Sequence, residues 1–240
     1  MATNAHVDVS LVIPAYNEEA RLPPTLRRVD EFVRQDARRW EVVVVDDGST
    51  DRTVEAVALL RKEGIVPRLI RHDQNRGKGA AVRTGVAATT GEIVLFSDAD
   101  LSAPIEDAVR LLEQLQSGAD VAIGSRALDR SLIIKHQPWP RDLMGRCFNL
   151  AVQLIVLPGI WDTQCGFKAL RGEVARELFA RLQSERFAFD VEVLYRARRA
   201  GYKIVEVPVH WRDRPGSQVH PLRDSSEMLR SLFRIRRMVG

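Results

Sequence analysis

The sequence predicts an α/β protein built on an open, mostly parallel sheet with helices wound over both faces. Three observations carry that prediction. Short apolar runs alternate with helical patterns through residue 126, the rhythm of successive β–α units. One run, Glu41-Val-Val-Val-Val-Asp46, is apolar without alternation, as an internal parallel strand buried on both faces must be. Asp46, Asp98 and Arg126 all fall at the carboxyl ends of such runs, where open α/β sheets bind their ligands.

The elements follow in order. Val9–Pro14 is a β-branched strand that leads through Ala15-Tyr-Asn-Glu-Glu19 into a helix, with Asn17 as expected N-cap and Leu22, Leu26, Val29 and Val33 at helical spacing. After the Glu41–Asp46 strand, Asp47-Gly48-Ser49-Thr50-Asp51 turns the chain into a helix over Thr53–Lys62, capped by Ser49 or Thr50. Strand Arg68–Arg71 precedes Asn75-Arg-Gly-Lys-Gly79 and a small-residue helix through Ala88. The run Ile93–Phe96 ends in Asp98-Ala-Asp100, and a helix over Pro104–Gln116 places Ile105, Val109, Leu112 and Leu115 on one stripe. Strand Asp120–Ile123 closes the alternation. Beyond it, Ala127–Pro140 reads as loop, Leu143–Leu157 and Ala188–Gly201 as helices, and Lys203–Val209 as a strand. Two units are expected: residues 1–218 as the main domain and 219–240 as a basic amphipathic helix.

Bulk composition narrows the class. With 240 residues, 45% hydrophobic and 28% charged, the chain can bury a sizeable core and is not a disordered polymer. Cys147 and Cys165 lack metal-ligand spacing, and MATNAHVDVS is no secretory signal, so a reduced cytoplasmic setting is expected. The longest mostly apolar stretch, Cys147–Trp161, is interrupted by Asn149, Gln153 and Pro158, too short to span a bilayer. A net charge of +4 and a pI near 9.4 permit an anionic partner. In Arg223–Gly240, five arginines face two acids. Such a helix either lies on anionic lipid or packs with its basic face in solvent. Both alternatives stand.

Asp98 and Asp100 carry the chemistry. In extended chain, alternate side chains point the same way, and paired carboxylates with substrate phosphates suit a hard divalent ion. A helix cap or turn is the structural alternative. Asp46 and Asp47 would accept hydrogen bonds from a base or ribose, or merely close a turn. Gly77-Lys78-Gly79 opens a helix without the full G-x-x-x-x-G-K-[ST] pattern, which disfavours ATP hydrolysis. Lys78 would meet a diphosphate or stand exposed.

The motifs Val12-Ile-Pro-Ala-Tyr-Asn-Glu-Glu19, Val45-Asp-Asp-Gly-Ser-Thr-Asp51, Asn75-Arg-Gly-Lys-Gly79 and Asp98-Ala-Asp100 resemble those of inverting family 2 glycosyltransferases with the GT-A fold. Asp162-Thr-Gln-Cys-Gly-Phe-Lys168, Glu185-Arg-Phe-Ala-Phe-Asp-Val-Glu192 and Val207-Pro-Val-His-Trp211 most resemble the dolichyl-phosphate β-glucosyltransferases. The resemblance implies that Pro14, Ala15, Tyr16, Glu18 and Asp46 line a nucleoside pocket. Asp98 and Asp100 would hold Mg²⁺ or Mn²⁺ on a donor diphosphate. The position two beyond the second aspartate, a metal-binding glutamine in some relatives, is Ser102 here. Arg126 and Arg141 match arginines that bind an acceptor phosphate, Arg130 adds a further contact, and Asp162 matches an acidic active-site position. A serine expected four residues beyond Arg141 is Gly145. A structural ion pair is the alternative for each arginine, and a turn for Asp162.

The implied reaction is inverting transfer of glucose from UDP-glucose to a polyprenyl phosphate, dolichyl or undecaprenyl, at the cytoplasmic membrane face. Leu143–Leu157 and the basic helix would meet an anionic membrane surface peripherally; no nucleic-acid partner is expected. The alternatives are another donor such as GDP-mannose or UDP-GlcNAc, a soluble acceptor, an idle nucleotide-sugar-binding module, or nucleotidyl transfer to a sugar phosphate.

Overall fold

The computed structural model describes residues 6–214 and 221–239, and the side chains of all of these except 140, 141 and 221–229. Strands β1 (Val9–Ala15), β2 (Trp40–Asp46), β3 (Arg68–Arg71), β4 (Ile93–Ser97) and β5 (Val121–Ser125) alternate with helices α1 (Leu22–Gln35), α2 (Thr53–Leu60), α3 (Lys78–Ala87) and α4 (Ala108–Gln116). Next come β6 (Ile133–Lys135), α5 (Trp139–Ile155), β7 (Phe167–Arg171), α6 (Gly172–Ala180), α7 (Phe189–Arg199), β8 (Ile204–Pro208), β9 (Trp211–Arg212) and α8 (Pro221–Val239). Among the described residues, seven strands form one sheet in the order β3-β2-β1-β4-β7-β5-β8, and β6 pairs with β9 in a separate ribbon. Every pairing in the large sheet is parallel except those of β7, which runs antiparallel to β4 and β5.

The period of two along each strand divides the core. Leu11 and Ile13 of β1 and Leu95 of β4 join Leu22, Leu26, Val57, Leu111 and Leu112 on one face. Val12, Val94 and Phe96 point the other way, into a second cluster with residues of α3 and α5 to α8. Both faces of the sheet are therefore covered, which accounts for β2 reading as uninterrupted valine.

The sequence expectations differ from the structure at identifiable points. Asn17 does not cap α1. It takes a left-handed backbone, φ 54°, and its side-chain oxygen accepts from Thr50 N at 2.9 Å, tying the loop after β1 to the loop after β2. Helix α1 begins later, with prolines in its first turn. Neither Ser49 nor Thr50 caps α2; Asp51 accepts from Thr53 N at 3.0 Å instead. The stretch expected as loop before residue 140 contains β6 and the start of α5. The antiparallel β7 and the helix α6 were not anticipated.

Helix α8 follows the packing alternative: Leu232 and Ile235 are fully buried with Val152 of α5 and Ala197 of α7, while Arg230, Phe233, Arg234, Arg236 and Arg237 face outward. The expected boundary at 218/219 lies outside the described residues.

One staple ties β7 to α7. Lys168, 1% exposed in the middle of β7, donates to Asp190 Oδ1 at 2.5 Å and to the Cys165 carbonyl at 2.5 Å, with its ammonium over the Phe96 ring. Removing one partner of a buried pair costs about 3–5 kcal/mol, because the survivor is left uncompensated. Helix α3 meets the sheet closely at Gly85, where a Cβ would overlap Val12 Cγ1 and approach Val45. Both valines are fully buried and β-branched, so they cannot rotate aside. Gly85→Ala should therefore lower stability by about 1–3 kcal/mol, read as a reduced urea midpoint at constant slope; an unchanged midpoint would mean that α3 slides off the sheet without cost.

Candidate active site

Antiparallel β7 explains how the site is assembled. Its first residue, Phe167, pairs with Ser97 at the end of β4, so the preceding loop, Asp162–Gly166, arrives at the carboxyl edge of the parallel strands. A Cβ on Gly166 would collide with the Asp98 carboxylate; glycine leaves the space that carboxylate fills. Lys78 Nζ, at the start of α3, lies 2.5 Å from Asp98 Oδ1. Asp98 and Asp190 hold the Lys78 ammonium above its ordinary pKa against the opposing cost of burial.

Past Asp98 the chain turns tightly. Leu101 N donates to the Asp98 carbonyl at 3.2 Å, and Ser102 N to Asp100 Oδ1 at 2.9 Å. Leu101 sits at φ 46°, a left-handed conformation unusual for a residue with a side chain. The turn is clamped from outside by Arg212 N of β9, which donates to the Ser102 carbonyl at 2.8 Å. Ser102 contributes backbone here.

At the other end of the edge, Pro14 and Ala15 lie beside Val45 and Asp46 in register. Asp46 is fully buried. Its Oδ1 accepts from Ser49 N at 3.3 Å. Its Oδ2 is 3.1 Å from Arg71 Nε, but without hydrogen-bond alignment, and has no hydrogen-bond partner. A buried carboxylate oxygen without a hydrogen bond is an exception among buried polar groups, and it leaves an acceptor at the sheet edge. Asp47 is differently occupied: Oδ1 takes His72 Nδ1 at 2.7 Å and Arg76 N at 3.0 Å, and Oδ2 takes Gly77 N at 2.7 Å. Its work is to hold the Asn75–Gly79 loop, and through it Lys78. Tyr16 is half-buried next to Asn17. Glu18 chelates Arg21 through both oxygens at 2.6 Å. Burial pushes its carboxyl up to about 7, Arg21 opposes that, and the charges of Asp100 and Asp98 add to it.

Arg126 and Asp162 form one unit. Arg126 Nε and Nη2 bond the two Asp162 oxygens at 2.7 and 2.8 Å, and Arg126 N adds a third bond at 2.9 Å. Burial would raise the Asp162 carboxyl, but Arg126 holds it below the usual carboxylate range. The backbone N–H groups of Trp161 and Asp162 are bound in turn by Glu206, each at 2.9 Å, and the Arg126 guanidinium lies over the Trp211 ring at 5.4 Å. Arg130 stands apart, 3.5 Å from Asp142 at the start of α5. Arg141 lies on α5, and its side chain falls outside the described ones.

The structure thus gathers Asp98, Asp100, Lys78 and Glu18 at one edge, with Asp46 beside them and the Arg126–Asp162 pair across β7. Sequence reasoning gave no role to Lys168, Asp190, Gly166, His72, Glu206 or Trp211. Lys168 carried a signal, a charge inside the apolar run Phe167-Lys-Ala-Leu170. Its partner 22 residues away carried none, because the pairing is tertiary.

Comparison with known proteins places these features. A family model described as glycosyl transferase family 2 matches residues 10–179. The dolichyl-phosphate β-glucosyltransferase of Dictyostelium discoideum is 34% identical over 96% of this chain and 74% of that protein. That of Drosophila melanogaster is 38% identical over 98% of this chain and 76% of that protein. Among solved structures, glucosyl-3-phosphoglycerate synthase from Mycobacterium tuberculosis, in complex with Mn²⁺ and UDP-glucose, superposes with a TM-score of 0.70 at 20% identity, covering 98% of this chain and 80% of that one. That likeness fixes the fold as GT-A. With its core motifs inside the matched segment and its relatives aligned over nearly the whole length, the chain belongs to glycosyltransferase family 2 and is a glycosyltransferase.

Proposed function

We propose that the protein transfers glucose from UDP-glucose to a polyprenyl phosphate of the dolichyl or undecaprenyl type, with inversion, giving a polyprenyl β-glucosyl phosphate. The observation that carries this reading is the half-exposed Asp98 carboxylate, seated in the space left by Gly166 and held by Lys78, on the same edge as the Asp46 oxygen that lacks a hydrogen bond. That edge suits a nucleoside diphosphate: an acceptor for the base at one end, and acids with a cation for the diphosphate at the other. The names of the relatives supply the glucosyl group and the lipid phosphate.

The residues fit a hard divalent cation, Mg²⁺ or Mn²⁺. Asp98 and Asp100 offer oxygen ligands with one residue between them, and the Asp98 side chain, fitted against Gly166, is 36% exposed. Among the described residues, no group of three or more His, Cys, Asp or Glu side chains is placed to hold a metal, so diphosphate and water would complete the shell. When bound, the ion supplies Lewis-acid compensation of charge on the departing diphosphate. Asp98 and Asp100 hold it, Lys78 takes up remaining negative charge, and Pro14, Ala15, Tyr16, Glu18 and Asp46 seat the nucleoside, with Asp47 fixing the loop that carries Lys78.

The acceptor phosphate is anionic at neutral pH, so its oxygen needs no general base to attack C1 of the glucose. The new O–C1 bond forms as the bond from C1 to the UDP oxygen breaks, and the electron pair leaves on UDP. Arginine suits such an acceptor, and Arg126, Arg130 and Arg141 are the residues assigned to it. Asp162 orients Arg126 through their shared fork. A lipid acceptor is met at a membrane surface, and the protein would act there peripherally, on the cytoplasmic face. Among the described residues, no helix is long and apolar enough to cross a membrane.

The deciding experiment is mass spectrometry of the lipid fraction after incubation with Mg²⁺, undecaprenyl phosphate and competing UDP-glucose, UDP-GlcNAc and GDP-mannose. A hexosyl phospholipid that requires UDP-glucose is expected. A product made from another nucleotide sugar, or donor cleavage without a lipid product, would replace the donor or the acceptor. Asp98→Asn should lower turnover about 10²–10³-fold with an unchanged circular dichroism spectrum; full activity would remove Asp98 from the metal site. The raised carboxyl of Glu18 has its own signature. The folded chain keeps a proton there that the unfolded chain loses above 4.5, so stability falls as pH rises from about 4.5 to about 7. In metal-free buffer, Glu18→Gln should flatten the urea midpoint across that window, and an unaltered slope would assign it to another group.

A further inference from the structure

The two apolar faces of α5 do different things. Val152 is fully buried, and Phe148, Ala151 and Ile155 pack beside it in the second core. On the other side Trp139, Leu143, Leu150 and Leu154 are 76%, 52%, 57% and 76% exposed. At about 100° per residue these four fall within an arc of roughly 60°, so they form one outward stripe. A surface helix normally buries its single apolar stripe and turns polar residues outward; a second, exposed stripe marks an interaction surface.

We propose that this stripe is a docking surface for an anionic lipid bilayer, a conclusion that rests on the lipid-acceptor reading above and names the face that reading requires. The rim supplies the charge argument. Exposed Arg146 and Arg130 converge on Asp142, the acid they share, and β6 adds exposed Ile134 and Lys135. A two-fold pairing of α5 with a second copy would set the same basic rim against itself, whereas an anionic bilayer meets it with opposite charge. Tryptophan at one end of the stripe suits the headgroup level. Helix α8, packed against α5, presents Arg230, Phe233, Arg234 and Arg237 to solvent. The inner side of α5 reaches the site: Thr163 Oγ1 donates to Asn149 Oδ1 at 3.2 Å, one residue from Asp162. Docking by the outer stripe therefore holds the Arg126–Asp162 side of the cleft close to where a lipid phosphate emerges.

The test compares wild type with Leu150→Glu/Leu154→Glu and Leu150→Gln/Leu154→Gln in flotation with acceptor-free vesicles of phosphatidylcholine and phosphatidylglycerol. The wild type should float with these vesicles and less with phosphatidylcholine alone. Both variants should lose about tenfold or more of the bound fraction, the glutamate pair most. With a short-chain, water-soluble prenyl phosphate and no vesicles, both variants should turn over within about twofold of wild type, since the helix interior is untouched. Flotation equal to wild type would overturn the docking face. A wild-type dimer that the variants split, with no vesicle binding, would overturn it in favour of a second copy. Loss of flotation with no prenyl phosphate turned over by any form would leave docking standing and remove the acceptor assignment.

Discussion

Everything at the ligand edge follows from acids lodged where water cannot solvate them. Asp46, Asp47, Asp162 and Asp190 are nearly or fully buried at or beside strand ends, and an isolated buried carboxylate is too costly to keep charged. Apart from Asp46, each acid has therefore drawn a hydrogen-bond donor from another part of the chain. Asp47 gathers two backbone N–H groups and His72, Asp162 takes the fork of Arg126, Asp190 takes Lys168, and Asp98 takes Lys78. These donors come from loops and helices far apart in sequence, so compensating the acids also sets the positions of the loops. Asp46 Oδ2, like Ser125 Oγ at the end of β5, is buried without a hydrogen bond, and it stands out because the other buried acids named here are bonded.

The direction of β7 has the same kind of consequence. A parallel strand between β4 and β5 would deliver its following loop to the ligand edge; an antiparallel one delivers the loop before it. The segment Asp162–Gly166 therefore reaches Asp98 and Arg126 together. Lys168, opposite Phe96 and Ile123 in the sheet, lies close enough to that loop for its ammonium to bond Cys165 O. Burial and the nearby Asp162 charge push the Cys165 thiol up to about 12, so it is an inert packing group. One strand thus fixes the single loop that both makes room for the Asp98 carboxylate and holds Arg126.

Legibility in the sequence divides along that line. The first 126 residues were readable because each strand and helix declares its own period, and because acids at strand ends fall where topology brings ligands. The position of the acids at the sheet edge is legible in the sequence, but the partners each one takes are not. Asp46 and Asp47 are adjacent and alike in sequence, yet one keeps an oxygen without a hydrogen bond and the other is consumed by a loop 30 residues on. Strand β7, Phe-Lys-Ala-Leu-Arg, has no β-branched residue and carries charges, so its local pattern hides a strand that is paired on both sides and whose lysine is compensated only by tertiary contact with Asp190. Asn17 was misread as a helix cap for a similar reason: its side chain does satisfy backbone N–H groups, but those of a loop 33 residues away.

In the proposed reaction, the Arg126–Asp162 pair would constrain how the acceptor is held. Arginine binds phosphate best through two parallel N–H groups, and in this arrangement the Nε–Nη2 fork is already given to Asp162, whose carboxyl is kept ionised by it. A phosphate that displaced Asp162 would strand a buried carboxylate next to a second anion, which the low-dielectric interior penalises heavily. The phosphate is better met by the remaining edge of the guanidinium, with the fork intact and Trp211 stacked beneath it. In the proposed reaction Arg126 would offer its Nη1–Nη2 edge from a position set by Asp162 and, through the backbone of residues 161 and 162, by Glu206. That edge carries two N–H groups, so in the proposed reaction Arg126 could still grip a phosphate with both, and Arg141 would approach from the helix whose outer face is apolar.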